Sequence, residues 1–462
     1  MPTEANLFLR GAQVIDPASD VSGPAHVRIA NGQIAAVGPD LVPEPGDTEI
    51  DVKGRVLSPA FADVHVHLRE PGGESSETVA TGCRSAAAGG FARVWCMPNT
   101  KPVNDSVLTT RYLQDRASEH ARSGDPGAGV RVHPVACLTR GMQSERLADF
   151  SALWAAGAGA FSDDGLPVAN AGMMRRAMQA IVDLPPNQWG GRPVVFDHCE
   201  DLSITGPGVM HEGRVSADLG LPGIPRSSEA VGIARDCALS LETGCRLHVC
   251  HVSTIDSVEV IRYFKVRGAP VTAEVSPHHL LFTDERVRRA DNPGLGDTHA
   301  KMKPPLCDER DRQALIVALE DGTIDCIATD HAPHDAESKS RSFEDAPFGI
   351  IGMETAFCSL HTEFVVGGKW SLEFLIDKLT RAPRDVVGWQ CFGSLQVGMP
   401  GDVVVIDPVE EWEFGPEHIG SKSRNCPWFG VRMVGRVVAT YIEGRVAFDV
   451  TRGANAPVVA GP

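Results

Sequence analysis

The amino-acid sequence predicts an α/β fold, with a (β/α)8 barrel through its middle and a small composite β-sandwich domain formed by both termini. Three observations predict it. Eight short apolar runs alternate with stretches of helical pattern across residues 56–395. The two ends, 1–55 and 396–462, read instead as short strands broken by Gly, Pro, Asn and Asp. The residues that close the eight runs are biased towards His and Asp, where barrel strands enter their functional loops.

The N-terminal strands fall at Phe8 to Ile15, Val27 to Ala30, Ile34 to Val37 and Ile50 to Val52. The C-terminal ones fall at Val403 to Ile406, Val434 to Ile442 and Val446 to Phe448. Between them the apolar runs are Val56–Val64, Ala92–Met97, Val130–Cys137, Gly157–Phe161, Pro193–Asp197, Arg246–Cys250, Pro270–Val275 and Ile324–Thr329. Helical stretches separate them at Thr78–Ala88, Met173–Val182, Ser228–Leu241, Ile255–Val266 and Arg310–Leu319. Eight repeats without a Gly-rich dinucleotide turn after the first strand favour a closed TIM barrel over an open doubly wound sheet. The segment Leu202 to Arg226, rich in Gly and Pro after strand five, is either a lid or an ordered excursion. The stretch Gly453 to Pro462 reads as a frayed tail.

Composition narrows the function classes. The chain has 462 residues, 42% apolar and 22% charged, as expected of a protein with a buried core. A net charge of −17 argues against nucleic acid as a partner and requires local positive groups for any anionic substrate. No apolar run approaches the ~20 residues of a membrane span, and Met1 to Arg10 carries no export signal. The twelve cysteines are scattered without a C-x-x-C pair, so reduced thiols in a cytoplasmic protein are expected. Cys199 lies between His198 and Glu200, and strand alternation predicts that its side chain faces away from theirs.

The strand ends carry the chemistry. The first ends in His65-Val66-His67, whose imidazoles share one side of an extended strand. The fourth ends in Ser162-Asp163-Asp164, the fifth in Asp197-His198-Cys199-Glu200, the sixth in His251-Val252-Ser253 and the eighth in Thr329-Asp330-His331. A lone histidine is usually structural, but four histidines and two aspartates at one barrel mouth form a metal-ligand set. Imidazole with carboxylate suits Zn2+, with Mn2+, Co2+ and Fe2+ chemically possible. Six ligands exceed the needs of one open catalytic zinc and argue for two metals sharing a carboxylate.

The motifs PAFADVHVHLREPG (59–72), MPNT (97–100), AFSDDG (160–165), DHCE (197–200), HVCHVST (248–254), EVSPHHL (274–280), DCIATDHAPH (325–334), APFGIIGMET (346–355) and KSRNCP (422–427) together resemble type I dihydroorotases of the amidohydrolase superfamily. The resemblance implies a cytoplasmic enzyme of pyrimidine biosynthesis that interconverts N-carbamoyl-L-aspartate and L-dihydroorotate. It implies a first zinc on His65, His67 and Asp330, and a second on His198 and His251, bridged by Asp164 and a hydroxide. Asp164 stands where related families place a carboxylated lysine, and Asp163 is its structural neighbour. Asp330 is the implied proton carrier. Arg69, Asn99 and His334 are the implied carboxylate partners, and backbone near Phe348 and Gly349 is expected to meet the ring. Related enzymes read Asn-Pro-Pro-Leu where this chain has Lys303-Pro304-Pro305-Leu306, so Lys303 either turns outward or adds positive potential beside the substrate.

A homo-oligomer, and association with aspartate transcarbamoylase, are further expectations. Two alternatives stand beside this reading: a hydantoinase- or allantoinase-type cyclic amidase, and a non-catalytic subunit of the transcarbamoylase.

Overall fold

The computed structural model describes residues 6–452; the expected tail, Gly453 to Pro462, lies outside them. Eight parallel strands follow one another round a nearly closed barrel: Phe61–Val66, Phe91–Cys96, Arg131–Ala136, Ala160–Phe161, Val195–Asp197, Leu247–Val249, Val271–Val275 and Cys326–Ile327. The predicted helices appear between them, among them Val79–Ala88, Ala171–Val182, Ser227–Thr243, Ile255–Val266 and Glu309–Glu320. Several are started by a side chain that accepts a backbone N–H, such as Thr78, Asn170, Thr254 and Asp308.

The first and eighth strands are joined mainly by a side chain. Buried Asp63 accepts the Thr329 N–H at 3.1 Å and its hydroxyl at 2.5 Å, while the His67 N–H donates to the His331 carbonyl at 2.8 Å. Burial pushes the Asp63 carboxyl up to about 6, and the bonds from Thr329 and His65 work against that rise.

The terminal strands form a separate β domain. Its strands run Arg445–Asp449, Arg432–Ile442, Val403–Glu413, Val56–Pro59, Asn6–Asp16, Val21–Ala30 and Gln33–Gly38 in spatial order, with Asp47–Asp51 also on Asn6–Asp16. The apolar run Val56–Val64 is therefore two strands. Val56–Pro59 pairs with Asn6–Asp16 and Val403–Glu413, and after Ala60 the chain enters the barrel at Phe61–Val66. Both halves are buried, so no polar residue marks the change in the sequence.

Residues 202–226 fold as an ordered excursion, with helices Leu202–Thr205 and Arg214–Leu219 and a small sheet of Met210–His211 against Gly223–Ile224. Val209, Met210 and Val215 pack there on Val287 and Phe343. The cysteines are unpaired and mostly buried, and the Cys199 thiol contacts Asp197 at 2.9 Å. No helix among the described residues is long and apolar enough to cross a membrane.

Barrel and terminal domain meet at Asp402, whose carboxylate takes Arg131 at 2.7 Å and Arg93 at 3.4 Å; Arg93 is itself buried. Asp402→Ala leaves that guanidinium without its anion and should lower the unfolding free energy by about 3 kcal/mol. Urea denaturation checks this, and an unchanged midpoint would show that the junction contributes little.

Candidate metal centre

All six side chains expected to bind metal converge at the barrel mouth. Asp164 lies in the middle. Its Oδ1 is 3.4 Å from His65 Nε2, 3.6 Å from His251 Nε2 and 3.8 Å from His198 Nδ1, and its Oδ2 is 3.4 Å from His67 Nε2. Asp330 Oδ1 approaches His67 Nε2 to 3.1 Å and His65 Nε2 to 3.5 Å, and His198 Nδ1 lies 2.9 Å from His251 Nε2. Every one of the six is buried.

Three of these residues, or their neighbours in the mouth, leave ordinary backbone space. Arg69, His251 and Asp330 have φ of 61°, 35° and 46°, so the chain turns sharply as it leaves strands one, six and eight.

The donor set fits cations better than it fits itself. His65 Nε2 and Asp164 Oδ1 are buried and have no hydrogen-bond partner, although they face each other. The triads His65–His67–Asp164, His65–His251–Asp330 and Asp164–His198–His251 each bring their ligand atoms within 4.8 Å of one another. Converging lone pairs of this kind, taken out of water, are suited to divalent metal.

Three of the four remote nitrogens are anchored, and the fourth, His251 Nδ1, is buried without a partner among the described residues. His65 Nδ1 lies 2.7 Å from Glu274 Oε1, His67 Nδ1 lies 2.9 Å from Asn99 Oδ1, and His198 Nε2 lies 3.4 Å from Glu200 Oε2. Each anchor accepts a proton from one ring nitrogen and leaves the other to face the centre. Glu274 also takes His248 Nε2 at 3.0 Å. Burial raises the Glu274 carboxyl, but His65 and His248 prevail and hold it down at about 2. Sequence reasoning missed Glu274 as a site residue, although a carboxylate in the buried strand Val271–Val275 was a signal for it. Asp163 faces elsewhere, accepting the N–H groups of Leu138 and Thr139 and the Thr139 hydroxyl.

One wall of the mouth carries the residues expected to meet substrate. His334 Nε2 lies 2.7 Å from the Phe348 carbonyl and 3.3 Å from Arg69 Nη2. One nitrogen cannot donate to the carbonyl and accept from the guanidinium. Burial and the charges of Arg69 and Lys339 push the His334 imidazole down to about 2, so it is neutral. The shorter contact assigns its single proton to the Phe348 carbonyl, leaving Arg69 Nη2 to another acceptor. Arg69 is steadied by its Nε, which donates to the Pro333 carbonyl at 3.1 Å. Gly349, at φ +151°, has no room for a side chain: a Cβ there would stand 2.5 Å from the Ala332 carbonyl oxygen and 2.9 Å from His334 Nε2.

Lys303 turns to Glu200, 3.0 Å away, with its ammonium 5.6 Å from the centre of the Phe348 ring. Two more lysines hold the Phe343–Gly349 segment from behind. Lys301 donates to the carbonyls of Phe343, Glu344 and Ala346, and Lys339 to those of Pro347 and Gly349.

Sequence and structural comparisons give the family and the fold. A family model described as Dihydro-orotase-like matches residues 54–257, and the Amidohydrolase family model matches residues 205–447. A dihydroorotase from Citrifermentans bemidjiense is 42% identical over 96% of this chain and 100% of its own length. One from Bacillus caldolyticus is 46% identical over 92% and 95%. Among solved structures, the L-hydantoinase (dihydropyrimidinase) from Arthrobacter aurescens superposes with a TM-score of 0.82 at 23% identity, covering 98% of this chain and 97% of that one. The hydantoinase establishes a common fold. Barrel, terminal β domain and mouth cluster thus define a member of the amidohydrolase superfamily, whose enzymes are generally metal-dependent. Within that class, the chain belongs to the dihydroorotase family.

Two predictions follow from the anchors and the buried lysines. Glu274→Gln removes the carboxylate that fixes His65 and should weaken metal binding by about 10- to 100-fold, read by equilibrium dialysis with metal analysis. Burial, reinforced by Lys301, lowers the Lys339 ammonium from 10.5 to about 7. Between those values the unfolded chain keeps a proton that the folded protein releases, so this group makes stability rise as pH increases from about 7 towards 10.5. In Lys339→Met that contribution should vanish, and parallel pH slopes of the urea midpoints in the two proteins would refute it.

Proposed function

We propose that this chain is a dihydroorotase, a cyclic-amide hydrolase that interconverts L-dihydroorotate and N-carbamoyl-L-aspartate in pyrimidine biosynthesis. The observation that carries the reading is the Arg69–His334 wall beside the Asp164 cluster, in a chain of this family. A half-buried guanidinium with an available donor suits a ring that bears a carboxylate, which uncharged hydantoins lack.

Two zinc ions are part of the proposal. His65, His67 and Asp330 would hold one, His198 and His251 the other, and Asp164 would serve both. When bound, such a pair lowers the pKa of water towards neutrality and polarises an amide carbonyl.

The chain's own groups handle the substrate and the proton. Arg69 and Asn99 grip the carboxylate, the neutral His334 steadies the wall beside them through the Phe348 carbonyl, and backbone at Phe348 and Gly349 meets the ring. Lys303 contributes positive potential while it is held by Glu200. Burial opposes ionisation of Asp330, but His65 and His67 keep its carboxyl well below the usual range. It is therefore ionised, and in this proposal it takes the proton as water attacks the ring amide carbonyl. The C–O bond forms, the ring C–N bond breaks, and Asp330 returns the proton to the departing amide nitrogen. Ring closure runs the same steps backwards with loss of water. A cytoplasmic location, a homo-oligomeric state and association with aspartate transcarbamoylase are parts of the same proposal.

The test is an assay of the purified protein on L-dihydroorotate beside hydantoin, dihydrouracil and allantoin. Dihydroorotate should be the substrate, and turnover of the uncharged rings alone would sink the proposal. Asp164→Ala should lose bound metal and about two orders of magnitude or more in kcat/KM. Full metal content with full activity in that variant would remove the shared-carboxylate argument.

A further inference from the structure

The motif KSRNCP belongs to neither the barrel strands nor the metal cluster, yet its asparagine reaches the wall that faces substrate. Asn425 lies in the connection between Val403–Glu413 and Arg432–Ile442, two strands of the terminal β domain. It is only 1% exposed. Its Oδ1 accepts the His334 N–H at 3.1 Å, and its Nδ2 donates to the carbonyls of Ala332 and Gly349, each at 2.9 Å. Its backbone carbonyl accepts the Ile351 N–H at 3.0 Å.

The geometry points to Asn425 as the positioning residue that sets the spacing between the two loops of the substrate wall, 332–334 and 348–351. The inference rests on the dihydroorotase reading for its substrate. Each side-chain bond goes to one loop or the other, and the amide is the smallest side chain offering two donors and an acceptor in one plane. The loops it joins are unusually close, since the Gly349 backbone sits against the Ala332 carbonyl and the His334 ring. They also carry the contacts that orient the wall: the Pro333 carbonyl receives Arg69 Nε, and the Phe348 carbonyl receives His334 Nε2.

A shift of the 332–334 loop would therefore move the Arg69 guanidinium and the His334 ring together. Three of the metal-facing histidines, His65, His67 and His198, are anchored separately, through Glu274, Asn99 and Glu200. Loss of Asn425 should accordingly disturb recognition of the acidic ring and leave the metal centre in place.

The experiment uses the full-length, metal-loaded protein with Asn425→Ala and Asn425→Asp. The aspartate keeps the volume and the acceptor for His334, but sets its second oxygen against the Ala332 and Gly349 carbonyls. Both variants should raise KM for L-dihydroorotate about tenfold or more while kcat stays within about threefold and metal content is unchanged. Hydrogen exchange in peptides covering residues 332–351 should quicken in both. An unchanged KM in a variant that keeps its metal would overturn the inference. So would a parallel fall of kcat, metal content and stability, since that outcome marks a purely structural residue. If the wild type does not turn over dihydroorotate, the proposed function fails by itself; exchange in Asn425→Ala then decides the clamp, and unchanged protection overturns it.

Discussion

The barrel mouth is organised around the carboxylate of Asp164, buried among four imidazoles. Taking that charge out of water is costly, and burial by itself would raise its pKa. The facing histidines reverse the effect and hold it well below the usual range. Three of the rings can face the centre with a lone pair because a partner holds the proton on the far nitrogen, and those partners come from three different places. Glu274 belongs to strand seven, Asn99 follows strand two, and Glu200 follows strand five. The requirement for one buried anion thus propagates outwards until it constrains most of the mouth.

Strained backbone at Arg69, His251 and Asp330 belongs to the same requirement. Non-glycine residues at such positive φ cost about 1–3 kcal/mol each and persist where the surroundings over-determine them. Here the surroundings are the strands of a nearly closed barrel, and the side-chain bonds of Asp63 to Thr329 help join the last strand to the first. A sheet open at that edge would let strand eight pivot and carry Asp330 away from His67. Barrel closure and the geometry of the centre are therefore one problem.

Much of this was legible in the sequence. The eight runs and their helices show because buried strands and amphipathic helices have distinct patterns, and the ligands show because His and Asp are conspicuous at the ends of apolar strands. Three features were hidden for physical reasons. The division at Ala60 leaves no polar mark, since both sides are buried in different sheets. Glu274 lies within a strand rather than at its end, and its partner His65 is 209 residues away. Asn425 acts across 91 residues to His334, from a loop whose composition suggests only a turn. Local periodicity records burial and direction, but it carries nothing about which distant loop a side chain will meet.

Lys303 shows how the electrostatics of the site fit a chain with a net charge of −17. An anionic ring approaching the mouth meets Asp164 and Asp330, whose charges face the centre, and Glu200, which is needed to orient His198. Glu200 would repel the substrate if it stood alone. Lys303, at 3.0 Å, neutralises it without displacing it from His198, and the pair lies against the Phe348 ring. Burial raises the Glu200 carboxyl, yet His198 and Lys303 together bring it to about 2, so it remains an acceptor for the imidazole. The lysine thus stabilises the charge that positions a metal-facing histidine, and Arg69 remains the cation best placed to take the ring's carboxylate. An asparagine at position 303 could offer hydrogen bonds to the ring but could not cancel the charge of Glu200. In this chain the substitution exchanges a polar contact for charge balance, and the metal-facing side of His198 is undisturbed.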